Sequence, residues 1–269
     1  MLPLVLEPEQ LEQNLGRDDL LIVDLCRPQV YNQDHIPGAV HLEYARLVLG
    51  QTPAPGLLPT KAELEVTFSG LGLTPQHHVV AYDDEGGGHA CRLLWTLDLI
   101  GHKQMSLLNG GLHAWVNEGH PQSGGSVEKL AGSDYSVSIG EHAAADRDYI
   151  MQHLDDPQVI LLDARTPNEY AGIDVRARQG GHIPGAVNLN WLETLDQSGN
   201  LRLKPDDELR DMLDARQVTP DNEVITYCQT HHRSSHSYIM LKHLGYPRIK
   251  GYAGSWSEWG NHPDTPTEK

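Results

Sequence analysis

The sequence predicts an α/β fold of two tandem domains, each a parallel sheet with helices on both faces. Three observations carry this. Short β-branched runs alternate with stretches of helical periodicity, the pattern of parallel strands covered on both sides. One such unit is written twice along the chain. The 269 residues suffice for about two ordinary domains, each with its own buried core.

The repeat is read directly. Leu21-Ile22-Val23-Asp24-Leu25, Tyr31 and His35-Ile36-Pro37-Gly38-Ala39-Val40 recur as Ile160-Leu161-Leu162-Asp163-Ala164, Tyr170 and His182-Ile183-Pro184-Gly185-Ala186-Val187. Further on, Val79-Val80-Ala81-Tyr82-Asp83 matches Val224-Ile225-Thr226-Tyr227-Cys228, Gly101 matches Gly245, and Trp115 matches Trp259. Asp24 and Asp163 lie 139 residues apart and His35 and His182 lie 147 apart, so the second copy gains eight residues between Tyr170 and His182. Arg176 and Arg178 fall in that insertion, either as a solvated excursion or as added positive potential near the site.

The elements follow in order. Residues 2–15 supply a first strand and helix, and a strand ends at Asp24. A helix over 61–71 starts at Thr60, and the run ending at Tyr82 is a further strand. Polar, Gly- and Ser-rich sequence then reads as a linker, within which residues 135–139 suit a strand packed on either domain. In the second copy a strand ends at Asp163, a helix over 206–216 starts at Lys204-Pro205-Asp206, residues 224–227 form a strand, and 234–244 form a helix. The resulting division is 1–122, linker 123–145, and 146–269.

Composition narrows the function. The 37 acidic and 20 basic residues give a formal charge of −17, which disfavours nucleic acid and anionic membranes as partners, since both need a basic footprint. The three cysteines, Cys26, Cys91 and Cys228, form no disulfide framework and no zinc-type pair, and their odd number favours a reducing compartment. No signal peptide and no run near the ~20 apolar residues of a membrane span is present, so the cytoplasm is expected. The 16 histidines include the pairs His77-His78 and His231-His232, but adjacent residues rarely converge on one ion, and no metal is expected.

The chemistry concentrates at Cys228-Gln229-Thr230-His231-His232-Arg233, between a buried strand and a helix N-terminus. There, main-chain N–H groups lack intrahelical partners and the helix dipole adds about half a positive charge, so a thiolate or anion is favoured. A cysteine so placed ionises below its free value and becomes a nucleophile. Arg233 adds a planar donor fork for an oxyanion. The competing reading of Cys228 is a small buried hydrophobe. Cysteine phosphatases space Cys and Arg as C-x5-R; the C-x4-R here makes a tighter cradle, suited to one extra sulfur atom.

This stretch resembles the active loop of the rhodaneses, and the full chain, with its two repeats, resembles the tandem-domain bacterial sulfurtransferases of that family. The resemblance implies that Cys228 carries a persulfide formed from thiosulfate and passes its sulfur to cyanide or another thiophilic acceptor, with no cofactor. Gln229, Thr230, His231 and His232 then act mainly through main-chain N–H groups and Arg233 through its charge. 3-Mercaptopyruvate sulfurtransferases have a Cys-Gly-Ser-Gly-Val-Thr loop and animal rhodaneses Cys-Arg-Lys-Gly-Val-Thr; the missing Lys leaves mercaptopyruvate open as an alternative donor. A non-catalytic persulfide carrier is a further alternative.

In the first copy Asp83 stands at the position of Cys228, followed by Asp84, Glu85, Gly86, Gly87 and Gly88. A carboxylate can cap the following helix but cannot carry sulfur, so this copy is expected to be structural and inactive. Cys91 and Cys26 read as core residues. Arg165, where the first copy has Cys26, is either a second oxyanion contact or a salt-bridge partner of Asp163 or Glu169. Trp191 is placed to wall the pocket, and Trp256 and Trp259 read as core or domain-interface aromatics.

Overall fold

The computed structural model describes residues 2–125 and 132–269. Residues 126–131 of the expected linker lie outside the described residues. The chain forms two compact units that do not follow the sequence repeat throughout. The first comprises Met1–Leu47, Pro59–Gly140 and Asp196–Leu203, and the second Val48–Leu58, Glu141–Leu195 and Lys204–Lys269.

In the first unit β1 (Val5–Leu6), β2 (Leu20–Asp24), β3 (Val40–His41), β4 (His78–Tyr82) and β5 (Met105–Leu108) make a parallel sheet in the order β1-β5-β4-β2-β3. Helices α1 (Pro8–Glu12), α2 (Pro28–Gln33), α3 (Lys61–Gly70), α4 (Gly88–Leu99) and α5 (Gly111–Asn117) intervene. Thr60 caps α3 in a reciprocal capping box with Glu63, satisfying two otherwise orphaned N–H groups. Leu6, Ile22, Val80, Tyr82, Leu108 and Trp115 belong to the core.

The second unit repeats the plan. β6 (Ala144–Ala145), β7 (Val159–Asp163) and β8 (Val187–Asn188) are followed by β11 (Glu223–Tyr227) and β12 (Ile249–Tyr252); the short ribbon between β8 and β11, β9 (Leu195–Asp196) and β10 (Arg202–Leu203), belongs to the first unit except for Leu195. The main sheet is parallel in the order β6-β12-β11-β7-β8. Its helices are α6 (Arg147–Gln152), α7 (Pro167–Tyr170), α8 (Asp206–Asp214), α9 (Arg233–His243) and α10 (Ser255–Trp259). Trp256 and Trp259 are in the core, as expected.

The repeated residues do the same work in each copy. Tyr82 Oη accepts from the Ile36 N–H at 3.1 Å and Tyr227 Oη from the Ile183 N–H at 3.2 Å. Tyr31 and Tyr170 donate to the carbonyls of Ala39 and Ala186. Trp115 and Trp259 donate to those of Pro121 and Pro266. Register pairs Tyr82 with Asp24 and Tyr227 with Asp163, so the central strands β4 and β11 deliver Asp83 and Cys228 at their carboxyl ends, where parallel sheets hold ligands.

Residues 135–139 are not a strand. Tyr135 and Val137 are buried in the first unit, but their N–H groups donate to Ser69 Oγ and Glu65 Oε1, side chains of α3, so no sheet ladder is available to them.

Candidate active site

Cys228 follows β11, and the chain is pinned on both sides of it. Its N–H donates to Ser255 Oγ at 3.3 Å, its carbonyl accepts from the Trp256 N–H at 2.9 Å, and the Gln229 carbonyl accepts from the Ser257 N–H at 3.0 Å. The start of α10 thus fixes the start of the loop. Cys228 has no exposed surface. Burial pushes its thiol up, but the Arg233 charge, the Ser234 hydroxyl and the N–H groups of Ser234 and Thr230 outweigh it and hold the thiol below its ordinary value. The buried thiols of Cys26 and Cys91 lack such partners and are pushed far up, chiefly by burial and the nearby Asp24 and Asp83 carboxylates respectively.

Arg233 is the first residue of α9, and its fork is already engaged. Nη1 and Nη2 bond Glu169 Oε2 and Oε1 at 2.7 and 2.9 Å. Glu169 is buried, accepts also from the Thr166 N–H and hydroxyl at the start of α7, and lies 3.6 Å from the guanidinium of Arg176. Burial alone would raise this carboxyl, but Arg233 and Thr166 together draw it down to about 2. Arg233 therefore acts on Cys228 through its field, while the donor fork expected for an oxyanion holds the buried Glu169 carboxylate.

The other sequence candidates divide. Gln229 donates to the Arg176 carbonyl at 3.3 Å, which ties the inserted segment to the loop even though the Arg176 side chain is half exposed and pairs with Asp174. Thr230 contributes its N–H toward the sulfur. His231 is fully buried, has a left-handed backbone (φ 53°), and lies 2.7 Å through Nδ1 from Ser234 Oγ. His232 precedes α9, with its ring 6.3 Å from that of Trp191, which also meets His236 edge-on. Arg165 takes the salt-bridge alternative: it is buried on Asp163 at 2.6 Å, donates to the Gly181 carbonyl, and stacks over Trp256. Its pairing residue is Asp163, and Glu169 serves Arg233 instead.

Sequence reading missed Ser234 and Gly56, and offered Glu169 only as a partner for Arg165. Glu169 reads as the last member of a Thr-x-x-Glu capping box, which it is, and this ordinary role hides its second one. Gly56 precedes the second repeat altogether. A Cβ there would overlap the Thr230 carbonyl oxygen and come within 2.8 Å of that of Ala253, so only glycine lets the 48–58 segment lie against the loop.

The first copy shows what the same loop does without sulfur. Asp83 Oδ1 accepts from the N–H groups of Glu85 and Gly87 at 2.9 and 2.8 Å, and Oδ2 from that of Ala90 at 2.9 Å. A built-in carboxylate occupies the amides at the head of α4.

Repeated parallel α/β units, one with a thiol of depressed pKa at the head of its central strand, define a protein equipped for thiol chemistry. The chain belongs to the rhodanese family: the Rhodanese-like domain matches residues 7–118 and 146–262. It is 48% identical to a thiosulfate sulfurtransferase of Pseudomonas aeruginosa and to one of Azotobacter vinelandii, in each case over 99% of this chain and 97% of the relative. A sulfur carrier protein of Thermus thermophilus is 33% identical over 89% of this chain and 87% of its own length. Among solved structures, an anaerobic ergothioneine biosynthesis enzyme from Chlorobium limicola superposes with a TM-score of 0.89 over 99% of this chain and 70% of that one. At 22% identity, this speaks to the fold alone.

Proposed function

We propose that this chain is a thiosulfate sulfurtransferase that works through a persulfide on Cys228. The thiolate attacks the outer sulfur of thiosulfate, the S–S bond of the donor breaks, and sulfite leaves with the bonding pair. The new terminal sulfur carries the negative charge, in reach of the loop N–H groups. A thiophilic acceptor, cyanide in the diagnostic case, then attacks that sulfur, giving thiocyanate and restoring the thiolate. Sulfur is carried covalently, so no cofactor enters. The first unit, with Asp83 at the equivalent position, is structural. Donor and acceptor are small solutes, and the setting is the cytoplasm; no helix among the described residues is long and apolar enough to cross a membrane.

The observation that carries this reading is a thiol held below its ordinary pKa although it is fully buried, because N–H donors and a guanidinium charge converge on it. Asp83 supports it from the other copy, where three loop and helix N–H groups donate to an anion. The names of the 48% identical relatives favour thiosulfate over mercaptopyruvate as donor. Since Cys228 has no exposed surface, donor access requires neighbouring groups to give way.

Incubation with thiosulfate followed by cyanide is expected to yield thiocyanate, with a mass gain of one sulfur atom on Cys228 before cyanide is added. Cys228→Ala should abolish both. Thiocyanate formation by that variant at the parent rate overturns the assignment. A persulfide that forms but resists cyanide indicates a carrier instead of an enzyme.

A further inference from the structure

We propose that Ser234 and His231 are a positioning pair for the reactive sulfur, the histidine ring fixing the serine hydroxyl so that its single proton points at Cys228. The inference deepens the sulfurtransferase reading of this site and rests on it.

Ser234 is fully buried, and its hydroxyl and N–H are among the groups that hold the Cys228 thiol below its ordinary value. On its other side, Ser234 Oγ lies 2.7 Å from His231 Nδ1. A hydroxyl has one proton to donate and lone pairs to accept with. If that proton goes to the sulfur, Oγ must accept from the ring, which makes Nδ1 the protonated nitrogen of His231. The ring thereby fixes the direction of a bond that a freely rotating hydroxyl would make only part of the time. No proton changes hands; the pair stabilises negative charge on the Cys228 sulfur by orientation.

The backbone supplies the second observation. His231 adopts φ 53°, a region that suits glycine and is costly for a residue with a side chain. The equivalent position in the first copy, counted from Asp83 and Cys228, is Gly86, at φ 87°. Both loops place a left-handed residue at this position, although the next residue is left-handed only in the first copy, where Gly87 has φ 92° and His232 has φ −92°. The loop with a carboxylate fills the position with glycine, whereas the loop with a thiol keeps a histidine in spite of the strain. A requirement for the ring accounts for that difference, and Ser234 is a polar contact of the ring at 2.7 Å.

The test measures the Cys228 thiol pKa from thiolate ultraviolet absorbance, taken against Cys228→Ala, together with thiocyanate formation and thermal unfolding, in four variants. Ser234→Ala is expected to raise the thiol pKa by about one unit, the scale of one hydrogen bond to a charged group. Ser234→Thr should restore it. His231→Gly relieves the turn but empties the buried place of the ring, and should raise the thiol pKa in the same direction and lower kcat. His231→Asn, which tolerates the turn and retains a donor, should recover part of the loss. A thiol pKa and kcat unchanged in His231→Gly would overturn the proposal, as would an unchanged pKa in Ser234→Ala. Parent protein that makes no thiocyanate while the pKa series runs as stated would instead sink the sulfurtransferase reading and leave the pair intact.

Discussion

Glu169 shows how a single side chain sets the charge at the sulfur. It takes both terminal nitrogens of Arg233, so the field that reaches Cys228 is that of a cation half compensated by a buried carboxylate. Replacing it by Gln keeps the shape and removes the charge. Two consequences follow in opposite directions. Arg233 becomes a part-buried cation without its counter-charge, which should destabilise the fold by about 2–3 kcal/mol. Its uncompensated field should meanwhile lower the Cys228 thiol pKa further. Thermal unfolding and the thiolate titration of Glu169→Gln check the two separately; a raised thiol pKa would mean that Glu169 serves chiefly to aim Arg233. Cys228 and Arg233 were legible in the sequence because their spacing, between a strand and a helix, is itself the signal. Glu169 and Ser234 were not, because each fits a local role: one completes a capping box, the other is the second residue of a helix.

At the level of elements, the parallel sheets were legible because each copy corroborates the other. The strands ending at Asp24 and Asp163 and the helices beginning after Thr60 and Pro205 fall where periodicity and caps put them. The strand expected over 135–139 failed because alternation of apolar residues marks burial on one face and does not say whether a ladder partner exists. What local sequence could not show is the 48–58 segment. It is closed on itself by the Leu49 and Gly50 N–H groups, which donate to the carbonyls of Leu57 and Pro55, and it sets Gly56 against the Thr230 carbonyl. That contact joins distant parts of the chain through a residue with no side chain to advertise it. Gly56→Ala must push Thr230, whose own N–H serves the sulfur, so kcat should fall by about 10- to 100-fold, with a stability loss of about 1–3 kcal/mol from overpacking. Gly50→Ala in the same segment is the control. Its φ of 70° makes alanine strained there, but an added Cβ would meet nothing within 4 Å. Loss of stability in both with loss of kcat only at position 56 is the expected outcome; equal kcat in the two variants would mean the segment does not position the loop.

Over the whole molecule, acid should weaken the two units in different pH ranges. In the first, His78 is buried with Nε2 2.8 Å from Ser106 Oγ, and burial foremost, with the nearby Arg17 and His102 charges, holds it down to about 4. His102, in the same unit, is also lowered, chiefly by burial. A folded value below the unfolded one of about 6.5 means that the unfolded chain takes up the proton first. The stability His78 contributes is complete above pH ~6.5 and is lost as pH falls from there toward its folded value, with on the order of 1 kcal/mol gone by pH 5.5. In the second unit, Glu169 is depressed to about 2, so its contribution is complete above the ordinary carboxyl value and is lost only as pH falls from there toward 2. Between pH 7 and 5.5 the first unit should therefore weaken while Glu169 still supports the second. The central strands β4 and β11 report on the two units separately. Across a urea series, pulsed hydrogen–deuterium exchange read by peptide mass should show the β4 midpoint falling between pH 7 and pH 5.5 by more than the β11 midpoint. His78→Gln, which keeps a polar side chain but cannot take up a proton, should remove most of that difference. Midpoints that move together in the parent, or a difference that persists in the variant, would place the acid sensitivity elsewhere than on the buried histidine.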